Sequence, residues 1–338
     1  MKAVCLVNTR DHARFIDECV LSCLAQEVPP GCRYEVHAVD AGSTDGTLER
    51  LSAYGGRVTT HPRGNIGQSG AFELCLALDA DVFLFCDGDD RLKPGRLRRV
   101  MDVFGAHPEV VMVGNSITEV DAEGSAIREV FVGEDQHLDA RADADADRLY
   151  GARCLLGTSR MAVRKAALAR LLPFGRTVLF EADEYVFNLL PALGKVCILS
   201  ARLTDYRLHG ANNYQSARPS LEKTRRFREV HEELLASMLA ARARLGLSGR
   251  YVERCEDGLR TLCRRLSALE SALQSRPKAA ELIWRDPRAL GLVNAPWPKR
   301  ALYASMALVF GLPFSLASYS RLRAWLRPGG GAADARLL

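Results

Sequence analysis

An α/β fold with a mostly parallel sheet is predicted by three observations. Over the first 120 residues, short apolar runs of strand length alternate with segments whose apolar side chains recur at helical spacing. The spacing strand, helix, strand, helix implies right-handed crossovers between parallel neighbours. The chain of 338 residues is 48% hydrophobic and 26% charged, which suits a packed core and excludes disordered, collagen-like and coiled-coil classes.

The elements follow in order. Ala3–Val7 is an apolar run of strand length, and Phe15–Leu24 places Phe15, Ile16, Cys19, Val20, Cys23 and Leu24 on one helical face. Tyr34–Val39 predicts a second strand, and Asp45–Tyr54 a helix opened by the capping-like Ser43-Thr44-Asp45. Arg57–Thr60 is a third candidate strand, Ser69–Leu78 a third helix and Val82–Cys86 a fourth strand. Residues 132–148, polar, acidic and without period, predict a surface loop. A helix is expected over 161–172 and a strand over Val196–Leu199. From 220 to 275 the pattern is helical and Arg-rich.

The formal net charge of +5 conceals two unlike parts. Residues 1–217 carry 24 Lys+Arg against 30 Asp+Glu, whereas 218–338 carry 22 against 11. The expected organisation is a catalytic domain over 1–217, a helical extension over 218–295, and an amphipathic segment with a loose tail over 296–338. In that last segment, six Lys+Arg and one Asp flank an apolar run containing Trp297, Tyr303, Phe310, Phe314, Tyr319 and Trp325. Apolar body, aromatics and basic flanks predict an element lying in an anionic membrane interface, the competing reading being helices packed back on the protein. The arginines of 220–275 read equally as a solvated face or a functional patch, and without interleaved aromatics or a recognition motif no nucleic-acid partner is expected.

Ten cysteines show no CxxC pair and no zinc-type spacing. Cys5, Cys86 and Cys197 lie in apolar runs and read as reduced core residues, while Cys19 and Cys23 share a helix face. With no signal-peptide pattern and no run of 18 apolar residues, the expected location is the reducing cytoplasm, at the inner face of the membrane.

Ligands of open parallel sheets bind at the carboxyl ends of the strands. Four polar groups fall there or further along: Asn8-Thr9-Arg10-Asp11, the stretch VDAGSTDGT with Asp40, the stretch FLFCDGDD with Asp87, Asp89 and Asp90, and Glu181 with Asp183 and Glu184. Clustered carboxylates at the end of one apolar strand call for a cation, and hard oxygen ligands suit Mg²⁺ or Mn²⁺, which bridge phosphates. Taken singly, a DxD turn is a solvated loop, Gly42-Ser43 a helix cap, Asp183 a surface carboxylate and His209 a packed histidine. Their joint occurrence at strand ends sets them apart.

The order NTRD, SCLAQ, VDAGSTDGT, GNIGQSGAFELCLA, FCDGDD, EADEY and YRLHGANN resembles glycosyltransferase family 2 over roughly residues 1–215. The resemblance implies a Rossmann-like GT-A domain and an inverting, metal-dependent transferase that uses a nucleotide-diphosphate sugar, a UDP-sugar foremost. It places Thr9, Asp11 and Asp40 in the nucleotide pocket, with Asp87 beside the ribose. Asp89 and His209 would hold the metal, Asp87 and Asp90 being further candidates, and Arg207 would add positive charge near the diphosphate. Asp183 matches the general base, ahead of its neighbours Glu181 and Glu184. The interfacial character of the C-terminal segment, rather than the resemblance, suggests the acceptor: a saccharide or lipid-linked hydroxyl in cell-surface polysaccharide or glycolipid assembly. Ala41 follows Asp40 where the family often has a second acid. Rival readings are a nucleotidyltransferase, whose glycine-rich loop NTRDHARF lacks, and a non-catalytic relative acting as a scaffold.

Overall fold

The computed structural model of the chain describes residues 1–64, 66–174, 181–209, 220–286 and 297–310. Its contacts divide it into two compact units, Met1–His209 with Glu233–Asp257, and Gly210–Glu232 with Gly258–Leu338.

The first unit is built on one curled ten-stranded sheet. Its strands are β1 (Lys2–Thr9), β2 (Arg33–Asp40), β3 (Thr59–Pro62), β4 (Val82–Asp87), β5 (Arg91–Leu92), β6 (Val110–Val120), β7 (Ala126–Val130), β8 (Gln136–Leu138), β9 (Ala162–Arg164) and β10 (Lys195–Arg207). The order is β3-β2-β1-β4-β9-β6-β10-β5, with β7 beside β6 and β8 beside β10. β1, β2, β3 and β4 run parallel, as do β6 and β10, while β9 is antiparallel to both β4 and β6. The predicted fold class holds.

Strand alternation sorts the core into two faces. Ala3, Cys5 and Val7 of β1 with Val82, Leu84 and Cys86 of β4 face helices α1 (Ile16–Leu24), α2 (Thr47–Ser52) and α4 (Arg96–Ala106). Ile16, Cys19, Val20 and Cys23 bury one stripe of α1 at the expected spacing. Each large apolar side chain buried this way contributes roughly 1.5–3 kcal/mol. On the other face, Phe85 stacks on Phe72 of α3 (Gly67–Ala77), which also meets α6 (Lys165–Leu171) and α7 (Ala182–Leu189).

Two expectations are corrected. Residues 132–148 are not a plain loop, because they hold β8 and the start of α5 (Asp143–Ala152). Asp143 and Asp145 lie in the first turn of α5, where the helix dipole favours negative charge, and Ala146 and Leu149 give it a narrow buried stripe. The helix expected over 161–172 begins only at Lys165, since Ala162–Arg164 is drawn into the gap between β4 and β6. The long β6 has no clear sequence pattern, its centre being Gly114-Asn115-Ser116. A Cβ on Gly114 would lie 2.5 Å from the Leu155 carbonyl oxygen. Asn115 and Ser116 are buried but satisfied, by Thr204 Oγ1 at 3.1 Å and the Leu199 carbonyl at 3.0 Å.

Beyond the sheet, the helical pattern expected over 220–275 is realised as two long helices, α8 (Leu221–Leu245) and α9 (Arg250–Gln274). Several of their arginines are ion-paired: Arg225 and Arg228 with Glu270, Arg242 with Glu256, and Arg250 and Arg254 with Asp147. In the second unit, α10 (Arg276–Arg285) and α11 (Trp297–Phe310) pack around Leu282, Ile283, Tyr303 and Ala307. Their outer faces expose Trp284, Trp297, Leu302 and Leu308. Among the described residues, no helix is long and apolar enough to cross a membrane. Phe314, Tyr319, Trp325 and the tail lie outside the described residues.

Candidate active site

Parallel register places the polar strand ends in a row. Thr9 is opposite Asp40, and Asn8 is opposite Asp87. Asp40 is buried, and its carboxylate accepts the Gly42 and Ser43 amides at 3.2 and 3.1 Å and the Ser43 hydroxyl. Asp11 adopts a left-handed backbone (φ 56°) and accepts the Thr44 amide at 2.8 Å. Its own amide donates to Ser43 Oγ at 2.9 Å, so the loops after β1 and β2 are laced together. Thr9 Oγ1 lies 3.2 Å from His12 Nδ1, directly beneath the turn after β4. That turn needs Gly88, because a Cβ there would sit 2.5 Å from Thr9 Oγ1 and 2.7 Å from His12 Nδ1.

The Asp87-Gly88-Asp89-Asp90 turn is fastened from β10. Asp89 Oδ2 lies 2.9 Å from His209 Nε2, and the His209 ring packs 4.8 Å from Phe15. Arg207 is almost fully buried. Its guanidinium donates to the backbone carbonyls of Asp89 (2.8 Å) and Ala122 (2.8 Å) and to Glu18 Oε2 (2.6 Å). Its amide donates to Asp90 Oδ1 at 2.7 Å. Arg207 thus reaches the site through the backbone of Asp89, and Asp90 clasps the turn to β10.

Burial, then the charges of Asp89, Asp90 and Asp183, push the Asp87 carboxyl well above the ordinary range. Asp90 is raised likewise, by burial and then by Asp89. For Asp89, burial pulls upward, but the His209 hydrogen bond and the neighbouring His12 and His209 outweigh it and hold the carboxyl below its ordinary value.

Asp183 opens α7 and is gripped from two sides. Thr158 donates to Asp183 Oδ2 through its hydroxyl (2.9 Å) and its amide (3.2 Å). Gln68 donates to Thr158 Oγ1 at 2.8 Å and accepts the Asp183 amide at 3.2 Å, closing a ring of three residues. The next residue, Ser159, accepts the Asp87 amide at 2.9 Å. One 3₁₀ turn (Thr158–Arg160) therefore touches both acidic groups.

The flanking acids differ from Asp183. Glu181 has a left-handed backbone (φ 60°), and burial followed by Asp183 and Glu184 pushes its carboxyl well above the usual range. Burial, then Asp183, raises Glu184 from 4.5 to about 7. A raised acid stabilises the fold below its unfolded pKa and loses that contribution as pH rises through the folded value. The loss for Glu184 thus falls between pH 4.5 and about 7. Glu184→Gln is expected to melt higher than the wild type above that window and to converge with it below. Parallel melting curves at every pH would contradict the assignment.

The donor set fits a hard divalent cation. The Asn8 Oδ1 atom, buried without a hydrogen-bond partner among the described residues, stands beside Asp87. Asp87 and Asp89 add carboxylates whose mutual repulsion a cation would relieve. No trio of carboxylate or imidazole donors closes within 4.8 Å among the described residues, so Asp89 and His209 form a pair. Such a pair suits an ion that takes its remaining ligands from a bound phosphate group and water. His12, Phe15, Gln68, Gly88, Thr158 and Ser159 enter the site without having been singled out in the sequence.

Residues 4–167 match the model of the family described as Glycosyl transferase family 2. A protein of Nostoc sp. described as an uncharacterized glycosyltransferase is 28% identical over 223 residues, covering 64% of this chain and 68% of its own length. Among solved structures, S. aureus TarS 1–349 in complex with UDP is similar with a TM-score of 0.57 at 17% identity, over 95% of this chain and 92% of that one. The same protein in complex with UDP-GlcNAc gives 0.59 at the same identity and coverage. At this identity the likeness speaks to the fold, which is of the GT-A type.

Proposed function

With residues 4–167 belonging to glycosyl transferase family 2, we propose that the chain is an inverting transferase that moves a sugar from a nucleotide-diphosphate donor to an acceptor hydroxyl. The observation that carries this is the fixed Asp183 carboxylate, held by Thr158 and Gln68 and joined through Ser159 to the β4 turn. Asp183 takes the acceptor proton as the oxygen attacks the anomeric carbon, and the bond to the diphosphate breaks on the opposite face. A single base suffices for direct displacement with inversion.

Thr9, Asp11 and Asp40 border the nucleotide pocket, with Asp87 at the ribose. Asp89 and His209 hold Mn²⁺ or Mg²⁺, with Asp87 and Asp90 as further candidates. When bound, the ion supplies neutralisation of the charge growing on the leaving diphosphate. Arg207 positions Asp89 from behind. The complexes of TarS with UDP and UDP-GlcNAc favour a UDP-sugar donor. A thermal-shift panel of nucleoside diphosphates with and without Mn²⁺ tests the reading. UDP with Mn²⁺ should stabilise the protein by about 2.7 kcal/mol at a concentration ~100 times its Kd. No shift with any nucleotide would reject it, and donor-dependent release of free nucleoside diphosphate separates an enzyme from a scaffold.

The exposed apolar residues of the second unit support a membrane-surface location. Trp297, Leu302 and Leu308 are exposed on α11, which carries no charged residue after Arg300, and Trp284 is exposed on α10. An apolar outer face preceded by Lys299-Arg300 suits the interface of an anionic bilayer at the inner face of the cytoplasmic membrane. That position favours a lipid-linked or surface-polysaccharide acceptor. The full chain should pellet with anionic liposomes at low salt and less with neutral ones; failure to pellet with either would remove the membrane from the reading.

A further inference from the structure

Four of the ten cysteines converge below the active site from three elements far apart in sequence. Cys5 of β1, Cys19 and Cys23 of α1 and Cys86 of β4 are fully buried. Strand alternation turns Cys5 and Cys86 towards α1, and four-residue spacing turns Cys19 and Cys23 towards the sheet. Cys5 Sγ lies 3.6 Å from Cys23 Sγ, and Cys19 Sγ lies 3.6 Å from Cys86 Sγ. The sulfurs of Cys19, Cys23 and Cys86 all fall within 4.8 Å of one another, and Cys5 adjoins this set through Cys23. A tetrahedral site with metal–sulfur bonds of about 2.3 Å has sulfur–sulfur edges of about 3.8 Å.

The charge of the surroundings fits as well. Arg96 is completely buried, and its guanidinium donates only to neutral acceptors: Asn115 Oδ1 (3.0 Å) and the carbonyls of Phe85 (3.1 Å) and Met161 (3.0 Å). No carboxylate pairs with it among the described residues. Burial opposes its charge, and Cys5, Cys86, Cys23 and Tyr34 are among the ionisable groups near enough to offset it. A buried cation without a counter-charge is costly, and a divalent metal held by three thiolates, which is net negative, supplies one.

We propose that Cys19, Cys23 and Cys86, with Cys5 against Cys23 as the nearest further thiol, bind a soft divalent metal ion, zinc foremost, as a structural centre distinct from the oxygen-donor site at the strand ends. Thiolates select zinc over the hard ions that carboxylates prefer. Each ligating thiol gives up its proton on binding. The ion ties α1 to β4 immediately behind Asp87, whose carbonyl oxygen lies 3.4 Å from Cys19 Sγ.

The test uses the full chain purified under reducing conditions without added metal. Mass spectrometry of the metal content should find roughly one zinc per chain, retained through exchange into excess Mg²⁺ and released by a mercurial thiol reagent. Replacement by Co²⁺ should produce a thiolate-to-cobalt charge-transfer band. Cys19→Ala with Cys86→Ala should lose the metal and the band, while Cys32→Ser, outside the cluster, keeps both. The overturning result needs no variant that must fold: wild-type protein that holds no zinc, gives no thiolate band with Co²⁺ and melts unchanged in a strong chelator.

Discussion

Asp183→Asn is expected to abolish sugar transfer while leaving donor binding largely intact. The amide keeps the shape of the carboxylate, and its carbonyl oxygen can still accept from the Thr158 hydroxyl and amide, so the ring with Gln68 is preserved. What is lost is the capacity to take a proton. Removing a positioned general base costs typically 10²–10⁴ in rate, or about 3–5 kcal/mol of transition-state stabilisation. The measurement is kcat from nucleoside diphosphate release, with calorimetry of donor binding alongside. Glu181→Gln and Glu184→Gln, whose carboxyls are already raised and so less charged, should retain most of the activity. Full turnover in Asp183→Asn, or its loss in Glu184→Gln instead, would move the base to a neighbour.

Asp89→Ala is expected to remove the Mn²⁺-dependent part of nucleotide binding. Asp89 is buried, and Oδ2 meets His209 Nε2 at 2.9 Å, so truncation takes away one candidate ligand and the orienting partner of the other. Loss of an outer partner alone costs about 10–100-fold in metal affinity, and loss of both effects should exceed the upper figure. The check is a titration of UDP with and without Mn²⁺, in which the variant should match the metal-free wild type. Equal affinity of variant and wild type in Mn²⁺ would take the turn after β4 out of metal binding. Arg207 needs no direct contact with the donor to matter here, because its hydrogen bond to the Asp89 carbonyl fixes where the carboxylate can point.

The strand-end groups were legible in the sequence because they are local. Asp40 and Asp87 each close an apolar run, and parallel pairing then brings them beside Thr9 and Asn8 without further assumption. The ring around Asp183 was not legible, since Gln68, Thr158 and Asp183 come from three separate segments and the first two are ordinary polar residues. Gly88 was visible as a letter but not as a necessity, which depends on the nearness of Thr9 and His12. Arg207 illustrates a different limit. A sequence shows a positive charge near the diphosphate motif, and only the packing shows that its hydrogen bonds go to backbone carbonyls and Glu18. The short β9 was hidden because a three-residue strand lacks a period of its own and is fixed by the two strands it fills between. The cysteine cluster was missed for the same reason as the ring: linear spacing detects thiols grouped on one loop, not thiols brought together from a helix and a distant strand.

Thr158 and Ser159 are consecutive, and each holds a different end of the chemistry. A single peptide link thus acts as a ruler between the proposed proton acceptor, Asp183, and the turn after β4 proposed to face the leaving group. Such a ruler does not stretch to suit a bulkier sugar. Changes of donor or acceptor in homologous chains should therefore accumulate in the loops around the site while this dipeptide's spacing stays constant. An insertion of one residue there should cost turnover with every substrate alike, leaving selectivity among the survivors of the reaction untouched.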